Sequence, residues 1–321
     1  MIEVGYSLSS EEFGPEQLIG NARDAEASGF RFAFLSDHFH PWLDVQGESP
    51  FVWGTLGALS QATEEVSFCT GVTCPLIRIH PAIVAQAAAT AALLLPGRFE
   101  LGVGTGENLN EHILGDRWPS HPERLEMLDE AVALIRELWD GGLVSRRGRH
   151  YTIDRARLYS VPEEPPRIVV AAAGPNAATL AGRIGEGLIT TAPDAELVEA
   201  FDSAGGSGKP RYGQLTVCVA GSVDEAIRTA HENWANGALG GDLGQELPLP
   251  RHFRQATELV TDDDVASAIV CGPDPARHRD AIAKFEEAGF DRVYVHQVGP
   301  DQRSFFELYE REILPELAAA A

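Results

Sequence analysis

Short apolar runs alternate along the chain with stretches whose apolar residues recur every three or four positions. The runs at 3–8, 30–35, 66–69, 99–103, 167–172, 187–191, 212–220 and 292–296 read as buried strands. Between them, helices are predicted at 15–28, 52–62, 81–95, 176–183, 196–204, 224–236, 263–270, 275–288 and 304–314. The punctuation agrees: Gly29 closes the first helix, and the helix at 81–95 has a proline at its start and Pro96-Gly97 past its end. Another helix follows Ser120, which stands at capping-box spacing from Glu123, and Leu125, Leu128, Val132, Ile135 and Leu138 form its apolar face.

Eight strands alternating with helices predict an α/β protein, a parallel (β/α)8 barrel occupying residues 1–321 as one domain. Two stretches break the alternation. Residues 143–166 read as a hairpin and a crossing loop, and residues 236–262 begin with a Gly-, Leu- and Pro-rich tract that reads as an insertion or lid.

Charge and cysteine usage narrow the partners. With 25 basic against 48 acidic residues the net charge is -23, so a nucleic acid would meet a repulsive field and a small molecule is the expected ligand. No basic-then-apolar leader and no membrane-length apolar run is seen. Cys69, Cys74, Cys218 and Cys271 are scattered without a Cys-x-x-Cys pair, which fits a reducing cytoplasm better than a disulfide or zinc framework.

In a barrel, loops past the carboxyl ends of strands carry the chemistry. The loop after the second strand, Ser-Asp-His-Phe-His-Pro-Trp at 36–42, holds Asp37, His38 and Trp42. An imidazole there can act as general acid or base, and an indole offers a flat apolar wall. Past the fourth strand, Gly104-Thr105-Gly106-Glu107 lets backbone approach a flat ligand and supplies a second carboxylate. The spacing is not that of a dinucleotide fingerprint. Residues 71–75 past the third strand read as a turn with a buried thiol. Residues 171–176 past the fifth open a helix whose N-terminus suits an anion or simply packs closely. His38-x-His40 also matches the start of some metal sites, but strands five and six end without further imidazoles, so no metal is expected.

As a set, Ser36-Asp37-His38-Phe39, Gly102 to Glu107 with Asn110-Glu111, the run from His80 to Ala87, and Val293-Tyr294-Val295-His296 resemble the luciferase-like deazaflavin-dependent oxidoreductases. Within them the likeness is to the branch of glucose-6-phosphate dehydrogenases that use coenzyme F420. The resemblance implies a barrel with insertions, often a homodimer, with the deazaflavin at its mouth. It assigns catalysis to His38, Glu107 and Trp42. It assigns cofactor contacts to Asp37, Gly71, Val72, Cys74, Thr105, Gly106, Asn110, Ala172, Ala173, Gly174 and Asn176, with a cis peptide at Gly71-Val72. Of the positions that hold a sugar phosphate in that branch, Thr191 matches, Asp194 replaces a Lys, Arg254 falls at the other Lys, and Ser267 replaces an Arg. A carboxylate would repel a phosphate dianion, so glucose 6-phosphate is not the expected substrate. The expected activity is F420-dependent hydride transfer at an alcohol or sugar hydroxyl carbon. The alternatives are an oxidoreductase or monooxygenase using flavin mononucleotide on the same barrel, and a cofactor-binding protein without turnover.

Overall fold

The computed structural model describes residues 2–319, so the ends of the expected 1–321 domain, Met1, Ala320 and Ala321, lie outside the described residues. Eight strands close the wall: β1 (Glu3–Leu8), β2 (Phe32–Leu35), β3 (Ser67–Thr70), β4 (Phe99–Val103), β7 (Ile168–Ala171), β8 (Gly187–Thr190), β9 (Arg211–Cys218) and β11 (Arg292–Gln297). Each pairs in parallel with the next, β11 pairs with β1, and β8 with β9, which completes a (β/α)8 barrel. Every strand is followed by a helical connection that covers the outer face, the arrangement parallel pairing requires.

Two apolar layers follow from the strand alternation. Inward-facing Phe32, Phe34, Cys69, Val169, Ile189, Tyr212 and Tyr294 fill the barrel, with the Phe34 and Tyr294 rings stacked at 4.0 Å. Outward-facing residues such as Leu8, Leu35, Leu101, Val170 and Leu188 pack under the helices in the larger cluster. The interior plug separates a larger space at the carboxyl ends of the strands from a smaller one at their amino ends, lined by Glu3, Glu100 and Arg292.

The segment at 143–166 contains an antiparallel pair, β5 (Val144–Arg147) and β6 (Thr152–Ala156). The segment from 236 contains short helices Leu243–Glu246 and Pro250–Thr257. Two local expectations need correction. Ser120 does begin the helix His121–Trp139, but its hydroxyl makes no cap bond, and the Glu123 carboxylate that would complete the box is held by Arg117 instead. The two-way capping box lies instead at Thr261 and Asp264. The helix expected to reach residue 270 ends at Ala268, and Val270–Cys271 forms a short strand, β10, beside β9. Consecutive β-branched residues, Ile269-Val270, favour that extended pairing over another helical turn.

Candidate active site

A cavity of about 900 Å³ opens at the carboxyl ends of the strands. His38, Trp42, Gly71, Val72, Thr105, Gly106, Glu107, Ala172, Ala173, Gly174 and Thr191 line it, so the loops after five different strands bring these predicted residues together.

The His38 ring is fixed from two sides. Its Nδ1 donates to the His40 carbonyl at 3.1 Å, and because a carbonyl only accepts, that nitrogen carries the hydrogen. Nε2 is thereby left to exchange a proton, with Glu11 Oε1 3.3 Å away. Glu11 sits just past β1 and is nearly inaccessible. Burial pushes its pKa up, but His38, the Ser36 hydroxyl at 2.6 Å and its own backbone outweigh this and hold it below the usual carboxylate range. The Trp42 ring lies 4.9 Å from the His38 ring and meets Phe253 edge-on at 5.2 Å, which brings the helix Pro250–Thr257 over the mouth.

Glu107 opens a short helix, Asn108–Glu111, where a loop was expected. Asn110 ties this helix to the His38 loop. Its Oδ1 accepts from the Phe39 and His40 amides at 2.9 and 3.1 Å, and its Nδ2 donates to Glu107 Oε2 at 3.3 Å. Asn110 is therefore a buried strut between the two loops and does not line the cavity.

Asp37 also lies behind the surface. Thr73 Oγ1 and Arg78 Nη2 each donate to it at 2.8 Å, and Arg78 reaches Glu111 as well. Its carboxylate is thus turned towards a buried arginine, not towards His38. The Gly71-Val72 peptide is cis, as the resemblance implies. Cys74 is packed beneath Gly106, where burial pushes its thiol well above its ordinary range and keeps it neutral.

The phosphate positions do not assemble. Thr191 lines the cavity, but Asp194 turns back to cap its own helix, accepting from the Glu196 and Leu197 amides. Arg254 is exposed and outside the lining. Its neighbour Phe253 is the residue of that helix that turns inward, since successive helical residues face different ways. Asn176 is likewise exposed and outside it.

Residue-by-residue reading of the sequence passed over Glu11, Glu12 and Arg124. Glu12 Oε2 bonds His296 Nε2 at 2.8 Å on the far side of the floor. Arg124 is fully buried, donates to Gln245 Oε1 at 2.8 Å and lies over the Trp118 ring, anchoring the short helix Leu243–Glu246. The signal for the first two was present: adjacent carboxylates directly past a strand. Among the described residues no group of His, Cys, Asp and Glu side chains is arranged to hold a metal, and no helix is long and apolar enough to cross a membrane.

A parallel barrel whose mouth joins an imidazole, an indole and a carboxylate beside a cis Gly-Val bulge defines a luciferase-like protein. The sequence model of the luciferase-like monooxygenase family matches residues 1–292, and the chain belongs to that family. It falls with the F420-dependent dehydrogenases in it. It is 38% identical to the F420-dependent glucose-6-phosphate dehydrogenase of Microbacterium testaceum, over 98% of this chain and 97% of that protein. It is 40% identical to the F420-dependent hydroxymycolic acid dehydrogenase of Mycobacterium tuberculosis, over 98% and 88%. The solved structure of an F420-dependent secondary alcohol dehydrogenase, in complex with an F420-acetone adduct, superposes with a TM-score of 0.91 at 31% identity and covers 98% of each chain.

Proposed function

We propose that this protein is a coenzyme F420-dependent dehydrogenase acting at a CH–OH carbon, and that its substrate is not glucose 6-phosphate. The observation that carries the reading is the convergence of His38 and Glu107 on one cavity, across from the Gly71-Val72 bulge. The cavity fits a flat ring. A Cβ at Gly104 would come within 2.8 Å of Val72 Cγ2, so the glycine keeps the wall shallow there. Gly71, Val72, Thr105 and Gly106 would flank the ring, and Ala172, Ala173 and Gly174 would meet its tail at the N-terminus of the helix Pro175–Ile184. The cofactor, when bound, supplies a ring carbon that accepts or returns a hydride.

The chain's own groups handle protons and position. His38 Nε2 takes the hydroxyl proton, and the Glu11 carboxylate stabilises the charged ring that results. Trp42 covers His38 and keeps water from it. Glu107 exchanges a proton on its own side of the cavity, held by Asn110. The absence of Asp194 and Arg254 from the lining speaks against a sugar-phosphate clamp. We extend the reading to a homodimer in a reducing cytoplasm. The apolar helices Val52–Ala62 and Pro81–Leu94 lie side by side with Phe51, Ile83 and Leu93 exposed, and all four cysteines are free.

The test mixes the protein with oxidised F420 and a panel of secondary alcohols, sugars and glucose 6-phosphate. Bleaching of the visible absorbance by an alcohol, and not by the sugar phosphate, is expected. Binding of flavin mononucleotide in place of F420, or no bleaching by any alcohol, would refute it.

A further inference from the structure

The barrel wall has a gap. Pairing of β8 with β9 stops at Thr190 and Gly213, and pairing of β10 with β9 starts at Val270 and Val217. Residues 214–216 of β9 therefore have no strand neighbour on that side. Side chains on a strand alternate across a sheet, yet the cavity is lined by three in succession, Gln214, Leu215 and Thr216. Inward-facing Tyr212 and outward-facing Leu215, which packs in the outer layer, fix the two directions. A cavity that touches both faces of one strand passes through the wall.

Outside the gap the passage meets Ala268, Val270, Ala281 and Phe285, and Gly213 lets the Phe285 ring press against the strand. The walls are apolar along this course. The outer end is marked by exposed Lys284, which forms no ion pair among the described residues although acidic residues outnumber basic ones 48 to 25. The geometry points to a substrate arm that leaves the barrel sideways. The alcohol carries an extended apolar substituent through the gap between β8 and β10, with an anionic terminus at Lys284. This rests on the alcohol-oxidising reading of the site above.

The probes are methyl ketones, from acetone to 2-nonanone, and their ω-carboxylates, titrated calorimetrically into protein loaded with oxidised F420, which has no hydride to give them. Affinity is expected to rise about fourfold per methylene and to level off when the arm reaches solvent. An ω-carboxylate that reaches Lys284 should add roughly twofold to fivefold, as an exposed pair does, and Lys284→Met should abolish that increment. Ala268→Trp, at an exposed position, should weaken 2-nonanone at least tenfold while moving acetone less than threefold. Retained acetone binding also reports that the variant is folded. Affinity that does not depend on length, or equal loss of acetone and 2-nonanone in Ala268→Trp, overturns the arm. An unchanged carboxylate increment in Lys284→Met overturns the anionic end. Turnover separates the two readings: bleaching by 2-propanol with no length dependence sinks only the passage, and length-dependent binding without bleaching by any alcohol sinks only the dehydrogenase.

Discussion

Gly106→Ala tests whether the loop carrying Glu107 is as closely built as its surroundings imply. Gly106 has φ +72°, and a Cβ there would lie 2.5 Å from Cys74 Sγ and 3.1 Å from Glu111 Cγ. Two costs add. The left-handed conformation costs an L side chain about 1–2 kcal/mol, and forcing a methyl into a packed site costs roughly 1–3 kcal/mol more. Gly115 separates them, because its φ is +85° and nothing lies within 4 Å of its added Cβ. Gly115→Ala should therefore show only the first cost, and Gly106→Ala should melt at a distinctly lower temperature.

The loop should also lose function. Its displacement moves Glu107 and the cofactor wall together, so F420 affinity, read by its fluorescence, should fall in Gly106→Ala and hold in Gly115→Ala. Cys74→Ala removes the nearest atom and should restore part of the loss, since neighbours in contact couple by about 0.5–3 kcal/mol. Restoration is only partial because Cys74 Cβ remains 3.0 Å away. Equal melting temperatures for the two single variants, or no recovery in the double variant, would refute the close packing of this loop.

Other expectations follow from the same geometry. His38→Ala should lower turnover by about 10²–10⁴-fold, the range of a lost general acid–base, with F420 affinity within a few fold of the parent. Glu11→Gln should flatten acid denaturation. A carboxylate held below its unfolded value adds stability that is complete above the unfolded pKa and is lost as pH falls through the folded one. The parent should thus lose more stability than the variant on acidification below about pH 5, followed by thermal melts at stepped pH. Asn110→Ala should lower turnover together with stability, since it strips two part-buried amides of their acceptor, at a combined cost of about 1–3 kcal/mol. Ile83→Glu should shift the protein from dimer to monomer in sedimentation, and an unchanged mass would remove that face from the interface.

The barrel was legible because its strands are buried on both faces and read as unbroken apolar runs, Phe32–Leu35 and Ile168–Ala171 among them. His38, Trp42 and Glu107 were legible for a related reason: each follows such a run directly, so chain order alone places it at the mouth. What local pattern could not supply is the direction of a side chain once the strand has ended. Asp37 and His38 are neighbours in sequence but face opposite ways, because Arg78, some forty residues on, captures the carboxylate and Glu11, from the loop after β1, meets the ring. The capping box at Ser120 failed similarly, its acidic member drawn off by Arg117. Arg254 was placed by offset within a segment without period, and the helix that forms there turns Phe253 inward instead.

These misplacements share one cause, and it bears on how the site works. The residues that set the reacting groups come from elements far apart in the chain: Glu11 after β1, Asn110 after β4, Phe253 from the helix over the mouth. Asn110 links the His38 and Glu107 loops by three hydrogen bonds, so neither loop can shift without the other. A shared strut keeps two proton-handling groups in register across the space a flat ring would occupy, where an ångström of slack costs orders of magnitude in rate. The opposite wall is built differently, with β9 lacking a strand neighbour on one side over 214–216 and the passage beside it lined by small and apolar side chains. Rigidity on the side of His38 and Glu107, and a breach in the wall on the other, divide the mouth into a part that fixes chemistry and a part free to select the molecule that undergoes it.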